Sequence, residues 1–332
     1  MSKMNPFYKE KENKIVCLLC RHYCQMKEGQ VGICGVNKNE EGTLQNLVYG
    51  KVSAINIDPI EKKPLYHFLP NSTSLSIGTV GCNFKCPFCQ NWQLSQTSDL
   101  STSKEVTTRQ LVELAKGHNC ETISYTYNEP TIFYPFAKDV ALLAKDHGLK
   151  NIFVSNGFES PEVIDDMVGV IDAFNIDLKS FQSEYYKKHL KGDLEGVLDT
   201  LKRLKERDFW VEVTTLVVPN ENDSEEELSQ IANFIAQELG VDTPWHISAF
   251  YPNYKENDKD PTSLASLERA YNIGKEAGLN FIYMGNIGKE NPTLCPECNI
   301  TLIERVGYQV SKNIIKKGKC PKCNTTIAGV WQ

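Results

Sequence analysis

The 332-residue sequence lacks any long uninterrupted apolar stretch. A membrane-spanning helix needs roughly 18 or more consecutive apolar residues, and no uncharged run approaches that length. The first fourteen residues, MSKMNPFYKEKENK, carry many charges and have no apolar centre, unlike a secretory signal peptide. We therefore expect a cytoplasmic protein without membrane attachment.

Basic residues are also fewer than acidic residues. The chain has 36 Lys and Arg residues against 42 Asp and Glu residues, which gives a formal net charge of −6. Because proteins that bind nucleic acid usually carry an excess of basic side chains, nucleic acid is not an expected partner. Hydrophobic residues make up 41% of the chain, so a chain of this length can bury a core without disulfides.

Cysteine, in contrast, is abundant, with twelve residues. Cys120 stands alone and is expected to be a small buried hydrophobe. The others form three tight groups: Cys17, Cys20, Cys24 and Cys34; Cys82, Cys86 and Cys89; and Cys295, Cys298, Cys320 and Cys323. In a reducing compartment such close spacings indicate metal–thiolate sites rather than disulfides.

Between the second and third cysteine groups, short β-branched runs alternate with amphipathic stretches. The predicted strands are Ser74–Thr79, Thr122–Tyr127, Asn151–Ser155, Phe174–Leu178, Val211–Val218, His246–Phe250 and Phe281–Met284. The predicted helices are Val106–His118, Asp139–His147, Leu194–Arg207, Glu225–Leu239 and Leu264–Ala277. Repeated βα units indicate a parallel sheet.

Six or more such units favour an α/β fold, a partial (β/α)6 TIM-like barrel whose chemistry lies at the carboxyl ends of the strands. Small N-terminal and C-terminal cysteine-rich modules flank the barrel. We expect the first module and a lead-in segment in residues 1–70, the barrel in 71–290 and the second module in 291–332.

The central cysteines have the spacing C-x3-C-x2-C and directly follow the first barrel strand. Three thiolates on one loop can bind three irons of a [4Fe-4S] cluster, leaving the fourth iron open to the amine and carboxylate of a small molecule. The alternative is a three-cysteine zinc site with a fourth ligand elsewhere. The position of the loop at the top of the first strand favours the cluster.

This motif, with the aromatic Phe88 before its last cysteine, resembles the signature of the radical S-adenosylmethionine (SAM) superfamily. The resemblance implies that Cys82, Cys86 and Cys89 hold a [4Fe-4S] cluster whose electron cleaves SAM into methionine and a 5′-deoxyadenosyl radical. That radical then abstracts hydrogen from a substrate. A reductant such as flavodoxin or ferredoxin is implied as a partner.

Two further strings narrow the resemblance. The run from Asp58 to Phe68 and the string Cys89-Gln-Asn-Trp92 are similar to the radical SAM member of the AmmeMemoRadiSam system, related to the pyruvate formate-lyase activating enzyme. This similarity implies a protein substrate or Memo-like system partners. Val154 and Thr214 depart from the activating enzyme, which weakens the transfer of glycyl-radical activity.

The resemblance also implies that polar residues near the strand ends contact SAM. Asn128 and Glu129 would receive its amino group, and His246 would face its adenosine. The predicted cofactor-binding residues are Phe88, Asn128, Glu129, Ser155, Asn156, Asp177, Lys179 and His246. Each polar residue alone is equally typical of a capped strand end, a turn or a satisfied core histidine, but their order along successive strands favours a site.

The flanking modules have different signatures. The C-terminal pairs Cys295-Pro-Glu-Cys298 and Cys320-Pro-Lys-Cys323 predict a zinc ribbon, with an iron–sulfur site as the alternative. The N-terminal four cysteines suit either zinc or a second iron–sulfur cluster, and their spacing does not decide between these metals. The charged segment around Glu61 and His67 is either a solvated face or a rigid cover over the barrel mouth.

These observations predict a radical SAM enzyme that acts on a protein residue or a small molecule. Activation of a glycyl-radical enzyme is the narrower alternative. The non-enzymatic alternative is a metal-binding zinc-ribbon adaptor, for which the polar strand ends would have no purpose.

Overall fold

A computed structural model describes residues 7–331. The strands are β1 (Tyr8–Lys11), β2 (Lys14–Cys17), β3 (Gln25–Met26), β4 (Asn37–Glu40), β5 (Thr43–Asn46), β6 (Lys51–Val52), β7 (Ala54–Pro59), β8 (Thr73–Gly78), β9 (Lys104–Glu105), β10 (Thr122–Tyr125), β11 (Lys150–Ser155), β12 (Ala173–Asp177), β13 (Trp210–Val217), β14 (Trp245–Ala249), β15 (Ile282–Gly285), β16 (Thr293–Leu294), β17 (Thr301–Val306) and β18 (Gln309–Asn313).

The α-helices are α1 (Trp92–Ser95), α2 (Thr108–Gly117), α3 (Tyr134–Asp146), α4 (Pro161–Met167), α5 (Ser183–Tyr185), α6 (Leu194–Glu206), α7 (Glu225–Phe234) and α8 (Leu264–Glu276). Two π-helical turns, Tyr186–Leu190 and Ile235–Leu239, continue α5 and α7. Short 3₁₀ turns cover Ile60–Lys62 and Pro130–Phe133. Among the described helices, none combines the length and apolarity needed to cross a bilayer.

An eight-stranded sheet forms the centre of the fold, in the order β7-β8-β10-β11-β12-β13-β14-β15. The pairs β8–β10, β10–β11, β13–β14 and β14–β15 are parallel. The sheet is open, with β7 and β15 at its edges, which agrees with a partial rather than a closed barrel. The predicted α/β class with a parallel sheet is confirmed. The sequence prediction missed β7, which lies in the lead-in segment before the first predicted strand.

Side-chain caps begin most of the helices near their predicted starts. In α2, Thr107 and Gln110 form a reciprocal capping box, while serines cap α4, α7 and α8. Helix α3 begins earlier than predicted because Pro135 lies in its first turn, where a missing N–H group costs little.

The chain divides into two compact units that alternate along the sequence. Unit 1 contains the residues up to Asp58, Thr73–Phe174 and Ser183–Phe209. Unit 2 contains Pro59–Ser72, Asn175–Gln182 and the residues from Trp210 onward. The three-segment division expected from the cysteine spacing stays a prediction.

Candidate functional site

The central cysteines lie on the loop that follows β8. Gly81 begins this loop with a φ of 88°, and a Cβ atom at that position would lie 2.6 Å from the carbonyl oxygen of Cys34. Only glycine accommodates both this conformation and this close approach. The loop therefore leaves β8 by a path that brings it against the N-terminal cysteine segment of the same unit.

The three thiols of this loop are mostly shielded from water. Cys82 and Cys86 are buried and Cys89 is half-buried. The backbone N–H of Phe84 donates to Cys82 Sγ at 3.5 Å, and Ser95 Oγ lies 3.1 Å from Cys89 Sγ. Burial raises the pKa of the Cys82 thiol, and the nearby charges of Glu129 and Cys86 raise it further. A bound cationic metal centre would compensate these thiolates, releasing their protons on binding.

Asn128 holds the start of the cysteine loop. Its Oδ1 accepts from the Thr79 N–H at 3.1 Å, and its Nδ2 donates to Gly81 O and Thr79 Oγ1, both at 2.9 Å. The side chain is buried. The structure thus uses the Asn128 amide to position the loop, and its predicted contact with SAM stays a prediction.

Glu129 joins the carboxyl ends of β10 and β11. Its carboxylate accepts from the Ser155 hydroxyl at 2.9 Å and from the N–H groups of Thr131 at 3.0 Å and Asn156 at 2.8 Å. The Asn156 side chain donates in turn to Asn83 Oδ1 of the cysteine loop at 2.8 Å. The predicted residues Asn128, Glu129, Ser155 and Asn156 therefore meet the cysteine loop in one hydrogen-bonded group.

Glu159 is a buried carboxylate that the sequence reasoning missed. It is 0% exposed, and no described residue donates a well-aligned hydrogen bond to either of its oxygens, although Ser155, Thr131 and Arg21 are near enough to lower its pKa. Burial raises the pKa of Glu129 to about 7, with the charge of Glu159 as the next cause. Burial also raises the pKa of Glu159. The sequence around Glu159 contains no signal that would have revealed this pair.

The other predicted cofactor-binding residues have local partners. Phe88 is buried in unit 1. In unit 2, Lys179 Nζ lies 2.7 Å from Asp177 Oδ2. His246, near the start of β14, is 2% exposed, and its Nε2 lies 2.6 Å from Glu212 Oε2. The proposed roles of these side chains toward SAM stay predictions.

The four N-terminal cysteines also gather in space. Burial raises the pKa of the Cys17 thiol to about 12, and the charges of Cys34 and Cys24 contribute. The Cys17 N–H donates to Cys24 O at 3.0 Å, and Asn37 Nδ2 donates to Cys34 Sγ at 3.4 Å. Burial also raises the pKa of Cys20, and the charges of Cys17, Cys34 and Cys24 contribute, so the four thiols lie in one neighbourhood of unit 1.

The ribbon cysteines form a compact set in unit 2. The sulfurs of Cys295, Cys298, Cys320 and Cys323 all lie within 4.8 Å of one another. Two opposite pairs, Cys295 with Cys323 and Cys298 with Cys320, are 3.5 and 3.6 Å apart. Sulfurs bound to a single zinc at about 2.3 Å would lie about 3.8 Å apart, so the arrangement fits one tetrahedral ion.

The predicted charged segment before β8 is not a solvated face. Glu61, Lys63, Tyr66 and His67 are all buried. Tyr66 belongs to an apolar core of the same unit that also contains Phe281 and Tyr283 and the ribbon residues Cys295, Leu302, Ile303, Cys320 and Ile327. The segment therefore forms part of the interior of unit 2.

Comparison with known proteins agrees with the site. The family model of the radical SAM superfamily matches residues 76–232. The uncharacterized protein MJ0808 of Methanocaldococcus jannaschii is 44% identical over 95% of this chain and 96% of its own length. The pyruvate formate-lyase 1-activating enzyme of Escherichia coli is 23% identical over 60% of this chain and 87% of its own length.

Solved structures show the same fold at low identity. Streptococcus suis SuiB bound to S-adenosylmethionine has a TM-score of 0.52 at 14% identity, covering 68% of this chain and 53% of that chain. A radical SAM methyltransferase from Sphaerobacter thermophilus has a TM-score of 0.51 at 14% identity, covering 65% and 67%. These likenesses concern the fold; the family match over residues 76–232, together with the cysteine loop after β8, leads to one conclusion: the chain contains a domain of the radical SAM superfamily.

Proposed function

We propose that the protein is an enzyme that reductively cleaves SAM at a [4Fe-4S] cluster held by Cys82, Cys86 and Cys89, in order to abstract hydrogen from a substrate. The observation that carries this proposal is the placement of three thiols on one loop after β8, beside the hydrogen-bonded polar ends of β10 and β11. Whether the substrate is a protein residue or a small molecule is left open.

The residues present fit such a cluster. Three soft thiolates with no fourth protein thiolate on the loop match a cubane that keeps one iron for a substrate. The Asn83 side-chain nitrogen, buried beside Cys82, has no hydrogen-bond partner among the described residues and is available as a donor. When bound, the cluster supplies the electron that cleaves SAM into methionine and a 5′-deoxyadenosyl radical.

The chain's own residues would position the reactants. Asn128 holds Thr79 and Gly81 in place, so the thiols keep one spacing. Glu129 offers a carboxylate to the SAM ammonium group, because opposite charges in a shielded site attract strongly. Burial of Phe88 and Cys86 excludes water from the loop, which protects a reactive radical from side reactions.

Activation of a glycyl-radical enzyme is a second candidate. It is favoured by relatives named for that activity: the putative glycyl-radical enzyme activating enzyme MJ1632 of M. jannaschii is 28% identical over 56% of this chain and 70% of its own length. This candidate predicts consumption of one SAM for each radical formed on a partner chain.

The test is an anaerobic assay of the reconstituted, reduced protein with SAM. Wild type should form 5′-deoxyadenosine, and Cys86→Ala should form none, with Cys120→Ala as the matched control for loss of a buried thiol outside the cysteine groups. Absence of product from a fully loaded wild type, with and without candidate partner proteins, would refute the proposal. Normal function of Cys82→Ala in cells would favour the adaptor alternative.

We also propose a structural zinc in the ribbon, supported by its sulfur spacing. Removal of this ion should loosen unit 2, because Cys295 and Cys320 belong to its apolar core.

A reductant of the flavodoxin or ferredoxin class would supply the electron that reduces the cluster held by Cys82, Cys86 and Cys89.

A further inference from the structure

The N-terminal cysteine segment touches the central cysteine loop directly. His22, which lies between Cys20 and Cys24, places its Nε2 3.0 Å from the carbonyl oxygen of Asn83. Asn83 is the residue after Cys82. On the other side, the Cys34 carbonyl lies against Gly81, where it leaves no room for a Cβ atom. Two separate points of the segment thus contact the loop that holds the proposed catalytic cluster.

The N-terminal segment does not need a metal to replace a missing core. Its strands β1, β2 and β3 form one sheet, while β4 and β5 form a hairpin. Its buried apolar side chains include Ile15, Leu19, Met26, Val36, Leu44 and Val48, each at most 2% exposed. Structural zinc typically stabilises modules too small to bury such a set. Four cysteines are therefore more than the fold of this segment requires.

The chemistry of the thiols limits what they can bind. Soft thiolate ligands select zinc, copper(I) or iron–sulfur clusters. Zinc has no redox chemistry, so an ion of zinc beside the catalytic loop would contribute nothing to its reduction.

We infer that Cys17, Cys20, Cys24 and Cys34 hold a second iron–sulfur cluster, which passes single electrons from a flavodoxin- or ferredoxin-type reductant to the catalytic loop. The inference rests on the proposed function, because it concerns how that loop is reduced. One electron enters the N-terminal centre from the reductant, which is oxidised by one electron. The same electron leaves toward the Cys82 loop, so the N-terminal centre returns to its oxidised form without a net change.

Metal analysis tests the identity of the centre. Anaerobically purified full-length protein should contain about eight irons and one zinc per chain. Cys24→Ala, which alters the one half-buried cysteine of the set, should lose about four irons and keep the zinc. The ribbon variant Cys298→Ala should lose zinc and keep iron, and Cys120→Ala should lose neither. About four irons and two zincs in wild type, or loss of zinc from Cys24→Ala, would overturn the inference.

Electron delivery tests the role. The rate of 5′-deoxyadenosine formation is measured with reduced flavodoxin and, separately, with dithionite, a small chemical reductant. In Cys24→Ala the ratio of the flavodoxin-driven to the dithionite-driven rate should fall at least about tenfold. An unchanged ratio in a variant that has lost about four irons would refute the electron route.

The two proposals can fail separately. If wild type with a fully loaded central cluster forms no product even with dithionite, with and without candidate partner proteins, the proposed function fails. If dithionite supports product formation while wild type holds only about four irons, the proposed function stands and the second cluster is wrong. Should Cys24→Ala fold poorly, electron paramagnetic resonance of reduced wild type decides: two overlapping cluster signals support the inference, and one signal contradicts it.

Discussion

Both units of the chain bury carboxylates away from water, but the hydrogen bonds that these carboxylates receive differ between the units. In unit 2, Glu212 is 0% exposed and accepts hydrogen bonds from the N–H groups of Tyr66 at 2.9 Å and His67 at 2.8 Å, from Trp210 Nε1 at 3.0 Å and from His246 Nε2. Burial alone would raise its pKa, but the hydrogen bond from His246 and the other donors hold the pKa below the usual range.

In unit 1, Glu129 and Glu159 lie close enough for their charges to interact, and burial raises the pKa of both. Glu129 has well-aligned donors, whereas no residue in the described part of the chain donates such a hydrogen bond to Glu159. A buried carboxylate without donors is unfavourable unless it binds a proton or a cation. The comparison shows that in unit 2 the buried carboxylate of Glu212 connects several parts of the chain, whereas in unit 1 the carboxylate of Glu159 lies at the proposed site without well-aligned donors among the described residues.

Unit 2 also contains a chain of hydrogen bonds that runs in one direction, from Arg305 to His67. Arg305 Nη1 donates to Thr293 Oγ1 at 2.7 Å, and Thr293 is 2.9 Å from the Tyr283 hydroxyl, which is 2.6 Å from His67 Nε2. The Ala328 carbonyl, 2.7 Å from His67 Nδ1, can only accept. Nδ1 therefore carries the proton, Nε2 accepts from Tyr283, and each hydroxyl donates to the next group. This order requires a neutral His67.

The largest effect is expected when Glu212 is removed. Glu212→Ala leaves the buried donors around it unpaired, and we expect the free energy of unfolding to fall by about 4 kcal/mol. Urea unfolding followed by tryptophan fluorescence is a suitable measurement, because Trp210, Trp245 and Trp331 all belong to unit 2. A loss below about 1 kcal/mol would mean that these contacts are not a structural brace.

Acid should destabilise unit 2 through His67. Burial lowers the pKa of His67 to about 4 from 6.5, so the folded state prefers the neutral ring. The stability that this group contributes is present above the unfolded pKa and is lost as the pH falls from 6.5 toward 4. We expect His67 to lower the free energy of unfolding by about 2 kcal/mol between about pH 7 and pH 5.

The measurement is the same urea unfolding repeated across this pH range. His67→Phe removes the titrating group, so its stability should be lower at pH 7 but should decline less steeply with acid. If wild type and His67→Phe have the same pH dependence, His67 is not kept neutral by the fold.

The smallest effect distinguishes Glu159 from the partnered carboxylates. Glu159→Gln removes an unpaired buried charge beside Glu129, so at about pH 8 we expect the free energy of unfolding to rise by about 1 kcal/mol. The gain should shrink as the pH falls, since the raised pKa of Glu159 means that the acid becomes neutral readily.

Glu129→Gln is the matched control for this prediction. It should destabilise the protein by about 1 to 3 kcal/mol, because the two carboxylate oxygens accept from different backbone donors, and the NH₂ group of Gln would face one of them, Thr131 N–H or Asn156 N–H. If both variants destabilise equally, Glu159 has partners that stabilise its charge.

Much of the fold follows from local sequence patterns. The predicted strand Thr122–Tyr127 is observed as a wholly buried strand over Thr122–Tyr125, and Ser224 caps α7 directly before its predicted start at Glu225. The π-helical continuation of α7 and the early start of α3 were not visible in those patterns, since they depend on how the last and first turns pack. The charge of the segment around Glu61 and Lys63 did not predict its exposure, because the tertiary structure buries both side chains.

The sequence by itself determined the family resemblance and the cysteines that define the proposed site, because C-x3-C-x2-C on one loop and paired C-P-x-C strings are local features of the chain. The tertiary structure decided which distant residues meet. It placed His22 against Asn83, left Glu159 without a well-aligned donor among residues 7–331, and enclosed His246 with Glu212. These pairings join residues far apart in the chain, and only the folded backbone determines whether a buried polar group finds a partner.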